Sequence, residues 1–223
     1  MIYHYPTVDS TMTIAAGLQI GDIVTADEQT AGQGRHGHAW HSERLSGLYC
    51  SFVLPPTPLL TLTLGLAAAE AISHATGIVC DLRWPNDLML DDRKTGGILV
   101  QLVDNKAIGG IGINVNQTAF PPELGAQATS LRLHAGREFH RSHILDALRR
   151  FIPKFMSEKP ERIIRLFSVA SSYASGRRVI VQQPDGVIEG TTAGLDDSGF
   201  LIVRNDNGTD TLIVAGGVRA AGS

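Results

Sequence analysis

The run Arg83-Trp84-Pro85-Asn86-Asp87, followed by Lys94-Thr95-Gly96-Gly97, constrains this chain more than any other stretch. Pro85 has no backbone N–H to give to a sheet ladder, so it belongs at a strand entrance or a sheet edge. Leu88-Met89-Leu90 follows as one strand, Asp91-Asp92 as a turn and Ile98-Leu99-Val100 as the returning strand. Together they predict a hairpin. It carries an amide, a carboxylate and an ammonium beside a glycine pair, where a missing Cβ lets backbone N–H groups approach a ligand closely. Such a set suits a phosphorylated nucleotide: the carboxylate for a metal ion, the ammonium for phosphate or carboxylate oxygens.

A second stretch, Gly32-Gln33-Gly34-Arg35-His36-Gly37, runs on to Trp40. Three glycines in six residues imply a loop, and Arg35 sets a planar, permanently charged fork inside it. The run matches the letters of a dinucleotide fingerprint, but that motif must leave a strand and open a helix. Here His38-Ala39-Trp40-His41 and then the apolar Leu48-Tyr49-Cys50-Ser51-Phe52-Val53-Leu54 follow, a loop and a strand. The kinase motifs and a Walker A sequence are absent. His36, His38 and His41 have no carboxylate or cysteine partner at a recognisable ligand spacing, so they read as solvated loop residues.

Turn and periodicity signals complete an α+β reading, with a mixed sheet flanked by helices. Ile2-Tyr3-His4-Tyr5 alternates as a first strand, Ser10-Thr11 caps a helix reaching about Gly17, and Ile23-Val24-Thr25-Ala26 delivers the glycine loop. Residues 60–76 form a helix stopped by Gly77, and 78–82 return as a strand. Residues 99–103 and 107–115 form another hairpin around Asp104-Asn105. Residues 143–156 and 161–174 are helical, with Pro153 as a kink and Pro160 as a separator.

The character changes at Gly176. Short strands at 178–182, 187–192, 201–204 and 211–214 are divided by Pro184-Asp185-Gly186, Asp196-Asp197-Ser198-Gly199 and Asn205-Asp206-Asn207-Gly208, which predicts a small β-barrel. The expected units are 1–174 and 175–223. A net charge of −3 and the lack of a basic stripe argue against nucleic acid as a partner. The longest apolar stretch, 59–71, is broken by polar residues and too short to span a bilayer. With no leader pattern at the N-terminus, a cytoplasmic protein is expected. Cys50 and Cys80 lie in apolar settings and read as buried free thiols.

The ordered set Asp9-Ser10-Thr11, Gln29 through Trp40, Arg83-Trp84-Pro85-Asn86-Asp87, Lys94 through Leu99 and Gly110-Ile111-Gly112-Ile113-Asn114-Val115-Asn116 resembles biotin–protein ligase, biotin–[carboxylase] ligase. The resemblance covers almost the whole chain and implies an SH3-like C-terminal domain. It also implies a two-step reaction. The biotin carboxylate attacks the α-phosphate of ATP to give biotinyl-adenylate and pyrophosphate, and a lysine of a biotin carboxyl carrier protein, such as an acetyl-CoA carboxylase subunit, then takes the biotin and releases AMP. Both steps bring anionic groups together, so fixed cations and donors in a water-poor pocket are required.

Carried onto this chain, Lys94 and Arg35 become the catalytic cations. Ser10, Thr11, Met12, Gln29, Gly32, Gln33, Gly34, Arg35, Lys94 and Gly97 line the biotin pocket, with Ser10, Thr11 and Gln29 on the ureido ring. Arg35, Trp40, Trp84, Asn86, Asp87, Lys94 and Asn114 serve ATP, and Asp87 is the magnesium partner. Trp84 reads equally well as core packing. The chain departs from familiar members at Gln33, His36 and His38, where arginine is common, at Met12 for asparagine and at Arg83 for lysine. The winged helix of repressor members has no room before Ile2, so a ligase without DNA binding is expected, as monomer or homodimer. A lipoate or octanoate ligase on the same fold and a non-catalytic biotin sensor are the competing readings.

Overall fold

In the computed structural model, which describes residues 1–183 and 186–221, two sheets and a helical layer share one core. The elements run β1 (Ile2–Tyr5), α1 (Thr11–Ala16), β2 (Ile23–Ala26), β3 (Gly47–Leu54), α2 (Leu60–Thr76), β4 (Asp81–Arg83), β5 (Asp87–Leu90), β6 (Arg93–Val103), β7 (Lys106–Asn114), α3 (Pro122–Gly125), α4 (Leu131–Ala135), α5 (Arg141–Met156), α6 (Pro160–Val169), β8 (Ser175–Gln183), β9 (Gly186–Leu195), β10 (Leu201–Arg204), β11 (Asp210–Ile213) and β12 (Gly217–Ala220). The first seven strands make one sheet in the order β1-β2-β3-β7-β6-β5-β4. It is mixed, because β1 lies parallel to β2 while the remaining neighbours are antiparallel.

Local chemistry explains the helices that place the site. Ser10 caps α1, its hydroxyl accepting from the Met12 amide, and Gly17 closes the end. α2 stops where Gly77 adopts φ +78°, a conformation that costs glycine nothing. Leu64, Ala67, Ala68, Ala71 and Ile72 of α2 are fully buried against α5 and the sheet. Each buried leucine or isoleucine contributes about 1.5–3 kcal/mol. On the other side of the sheet α1 seats Met12 and Ala15 on Val24, Val53 and Ile108. Cys50 and Cys80 are free and buried, and burial pushes both thiols up to about 12.

Several sequence expectations need correcting. The strand expected at 78–82 is confined to β4. The helix expected over 161–174 ends at Val169, because the segment after it bonds to the edge of the first sheet: the Leu82 amide donates to the Ala170 carbonyl, and Ser171 Oγ donates to the Leu82 carbonyl. α3, α4 and β12 were not expected; β12 is recruited by antiparallel pairing with β8 rather than by its own pattern. The second sheet has the order β11-β10-β9-β8-β12, so β11 and β12 are its edges and no pairing among the described residues closes it into a barrel. Pro184 and Asp185 of the expected turn lie outside the described residues.

Candidate active site

Asp87 is the centre of the site. The β4–β5 register places it opposite Arg83, whose Nε and Nη2 donate to Oδ2 at 3.1 and 2.7 Å. Lys94 Nζ lies 2.6 Å from the other oxygen, a close ion pair whose angles are not those of a hydrogen bond. Burial would push the Asp87 carboxyl up, but Lys94 and Arg83 outweigh it and hold the group below the usual carboxylate range. The backbone of Lys94 is fixed as well: its amide donates to Gln127 and its carbonyl accepts from Thr129.

The floor beside Lys94 is bare backbone. Gly97 and Gly112 face each other across β6 and β7. A Cβ on Gly97 would stand 3.3 Å from Lys94 Nζ and from Trp40 Cζ3, and one on Gly112 would stand 2.5 Å from Trp40 Cε2. The Trp40 ring therefore packs against the floor, with Lys94 Nζ 5.4 Å from its centroid, within cation–π range. Its Nε1 is buried against the Gly112 backbone without a hydrogen-bond partner among the described residues.

The glycine loop crosses to this floor from β2. It makes a single tight turn, Arg35–Gly37, with no following helix, so its letters are not those of a dinucleotide site. His36 adopts φ 54° within that turn. Arg35 Nη1 donates to Asn86 Oδ1 at 3.1 Å and to the Gly216 carbonyl at 3.2 Å, tying loop, hairpin and second sheet together. Burial draws the Arg35 guanidinium down while Asp87 opposes it, and an arginine keeps its charge under such conditions.

A polar cluster adjoins Trp40. The Thr11 amide and hydroxyl both donate to Gln29 Oε1, at 2.9 and 3.1 Å. Gln29 Nε2 donates to Ser42 Oγ at 2.8 Å, and Ser42 Oγ donates to the Trp40 carbonyl. Thr11 and Ser51 hydroxyls share a hydrogen bond of 2.8 Å. A Cβ on Gly32 would meet the Trp40 carbonyl oxygen at 2.6 Å, so only glycine lets this strand of the loop pass.

Some residues expected at the site have other occupations. Trp84 is 3% exposed and packs in the main core, where its Nε1 donates to the Gly199 carbonyl at 2.9 Å and braces the two sheets. Met12 packs toward Gly110 in the smaller core. Asn114 Nδ2 donates to the Thr129 carbonyl, which holds the segment that flanks Lys94. Asn86 Nδ2 donates to the Ile98 carbonyl. Gln33 is exposed and accepts from Gln101 Nε2, while Gly34 closes the loop turn through its amide to the His38 carbonyl. Ser10 Oγ serves the helix cap. Both Asp87 oxygens are engaged by cations, and among the described residues no group of three or more His, Cys, Asp or Glu could hold a metal. The donors as they stand do not fit a resident metal ion.

Ser42, Ser51 and Gly216 were not singled out from the sequence, and Gly112 was named only within its motif, without a role. The glycines of Gly109-Gly110-Ile111-Gly112 inside a strand were a legible signal of close approach, and a lone serine in the apolar run of β3 was another.

Paired cations beside a glycine floor and an adjoining amide–hydroxyl cluster form an arrangement able to receive an anionic ligand. Comparison with known proteins makes this specific. Residues 5–117 match the Biotin/lipoate A/B protein ligase family and residues 174–218 the Biotin protein ligase C terminal domain, and the chain belongs to that family. It is 36% identical to the bifunctional ligase/repressor BirA of Bacillus subtilis, over 96% of this chain and 72% of that protein. It is 30% identical to the biotin–[acetyl-CoA-carboxylase] ligase of Mycobacterium tuberculosis, over 91% of this chain and 80% of the relative. The structure of the biotin protein ligase from Aquifex aeolicus in complex with biotin and ATP superposes with a TM-score of 0.90 at 30% identity, covering 99% of both chains.

Proposed function

We propose that this protein is an ATP-dependent biotin–protein ligase, which activates biotin as its 5′-adenylate and passes it to a lysine of a biotin carboxyl carrier protein. The observation that carries the reading is the Lys94–Asp87–Arg83 group on the Gly97/Gly112 floor beneath Trp40. In the first step Lys94 leaves Asp87 to stand between the biotin carboxylate and the α-phosphate, and its ammonium offsets charge as the two anions meet. Arg35, held at the loop mouth by Asn86 and Gly216, closes over the adenylate. Thr11 and Gln29 exchange their mutual bonds for the ureido group, a rigid set of donors and acceptors that a hydroxyl and an amide match. Trp40 covers the ring system and shields the anhydride from water.

The carrier is an acetyl-CoA carboxylase subunit or its equivalent, and the ligase works in the cytoplasm, as monomer or homodimer. Division at 174/175 is supported by the separate sheets on either side of it. No helix among the described residues is long and apolar enough to cross a membrane. The decisive experiment is biotin-dependent ATP–pyrophosphate exchange with magnesium, beside lipoate and octanoate. Exchange with biotin alone supports the proposal. Exchange with lipoate or octanoate instead, or biotin binding without exchange, overturns it in favour of the sister ligase or a sensor.

A further inference from the structure

Arg83 belongs to the Lys94–Asp87–Arg83 group but has no step of its own in the reaction above, and it shares with Lys94 a single carboxylate. Asp87 carries one negative charge between two cations: Arg83 takes Oδ2 through two nitrogens and Lys94 takes Oδ1. The three side chains are 19%, 13% and 31% exposed for Arg83, Asp87 and Lys94, so water screens them only partly. Arg83 is itself braced from the chain segment that leads into the second sheet. Its guanidinium lies 5.9 Å from the centroid of Tyr173, a ring that is 1% exposed and is covered by Arg177 at 3.9 Å. The Tyr173 hydroxyl and Arg177 Nη2 both donate to Asp92 Oδ1, in the turn between β5 and β6. One residue earlier, the Ser172 amide and hydroxyl donate to the two oxygens of Asp81, at the start of β4. Ser171, Ser172 and Tyr173 thus clasp both ends of the hairpin that carries Arg83 and Asp87.

We propose that Arg83, braced by the Ser171-Ser172-Tyr173 clasp, is a positioning residue that shares the charge of Asp87 and so leaves Lys94 free to move onto the reacting anions. An ammonium facing a half-buried carboxylate with no other partner is pinned by the full attraction of that charge. A second cation on the opposite oxygen weakens the field at Oδ1, and Lys94 releases when biotin and ATP bring competing negative charge. The inference rests on the ligase reading for the identity of the anions, but the grip of Asp87 on Lys94 is measurable without them.

The test uses the full chain with Arg83→Gln and Arg83→Lys, followed by single-turnover formation of biotinyl-adenylate and by the rate at which an amine reagent modifies Lys94, read by peptide mass spectrometry. Arg83→Gln slows adenylate formation by about tenfold or more, and Arg83→Lys, which keeps the charge, stays within about threefold of the parent. In Arg83→Gln the Lys94 amine stays paired with Asp87, which faces no second cation, and reacts more slowly with the reagent. A merely structural role for Arg83 gives the opposite sign, since a loosened hairpin exposes Lys94 and speeds its modification. Faster labelling in Arg83→Gln, adenylate formation within about twofold of the parent, or a lysine variant as slow as the glutamine variant overturns the proposal. If the parent forms no adenylate from biotin, the ligase reading fails instead, and the labelling rate alone decides the role of Arg83.

Discussion

Replacing Trp84 by phenylalanine separates its two readings, core brace and pocket wall. The indole Nε1 donates to the Gly199 carbonyl at 2.9 Å inside the core, and a phenyl ring leaves that carbonyl buried without a donor. An unsatisfied buried acceptor costs about 1–3 kcal/mol, and the atoms missing from the smaller ring add a packing loss, for a total of about 2–4 kcal/mol. The site has little room to relax. Gly199 holds φ +78° and points its missing Cβ at Leu59 and Leu62, at 2.5 and 3.0 Å, so the loop is wedged against the start of α2. For a domain of this size each kcal/mol lowers Tm by roughly 2–4 °C. The assay pairs calorimetry or urea unfolding with the KM for ATP in the exchange reaction. The expected result is a clear loss of stability with an unchanged KM. An unchanged unfolding midpoint together with an approximately tenfold higher KM for ATP would refute the core assignment.

Four further outcomes follow from the site. Lys94→Ala reduces single-turnover adenylation by about two orders of magnitude or more while the unfolding midpoint stays near that of the parent; unimpaired adenylation removes Lys94 from the chemistry. Arg35→Gly, which cuts the bonds to Asn86 and Gly216, releases biotinyl-adenylate faster in a filter or stopped-flow assay, and equal release rates contradict its closing role. Gly112→Ala drives a Cβ to 2.5 Å from Trp40 and weakens biotin binding by about tenfold in calorimetry; intact affinity would mean that the ring is free to lift. Asp87 has its carboxyl held below the usual range, so the stability it contributes is complete above the unfolded carboxylate value of about 3.9 and is lost as pH falls through the lower, folded value. Acid unfolding of Asp87→Asn should therefore lose part of its pH dependence below about pH 4, and an identical profile excludes the effect.

Elements set by local signals were legible in the sequence. The bounds of α2 follow from its apolar face and Gly77, and α1 from the Ser10 cap. Elements made by distant partners were not: β12 has no strand pattern of its own, and the last turns expected of α6 were lost to Leu82 and Asp81 on the sheet edge. The same division runs through the site. Lys94, Asp87, Gln29, Thr11 and the glycines were marked by their motifs, whereas the groups that hold them, Ser42, Ser51, Gly216 and Tyr173, come from elsewhere in the chain and share no spacing with them. Trp84 shows the limit of motif reading, since a residue inside the most informative run turned out to serve the core.

The glycine floor has a consequence for how such a protein can change. A Cβ on Gly112 meets Trp40, one on Gly110 meets Met12 at 2.6 Å, and one on Gly109 meets Leu64 at 2.6 Å. β7 is thus closed to enlargement at Gly112 by the indole of the glycine loop, while at Gly110 and Gly109 it is limited by the flexible ends of Met12 and Leu64. The side chains laid upon the strand, Trp40 from the glycine loop and Met12 from α1, sit on separate segments and can vary one at a time. Selection acting on this protein is freer with the side chains above β7 than with Gly112 in the strand itself.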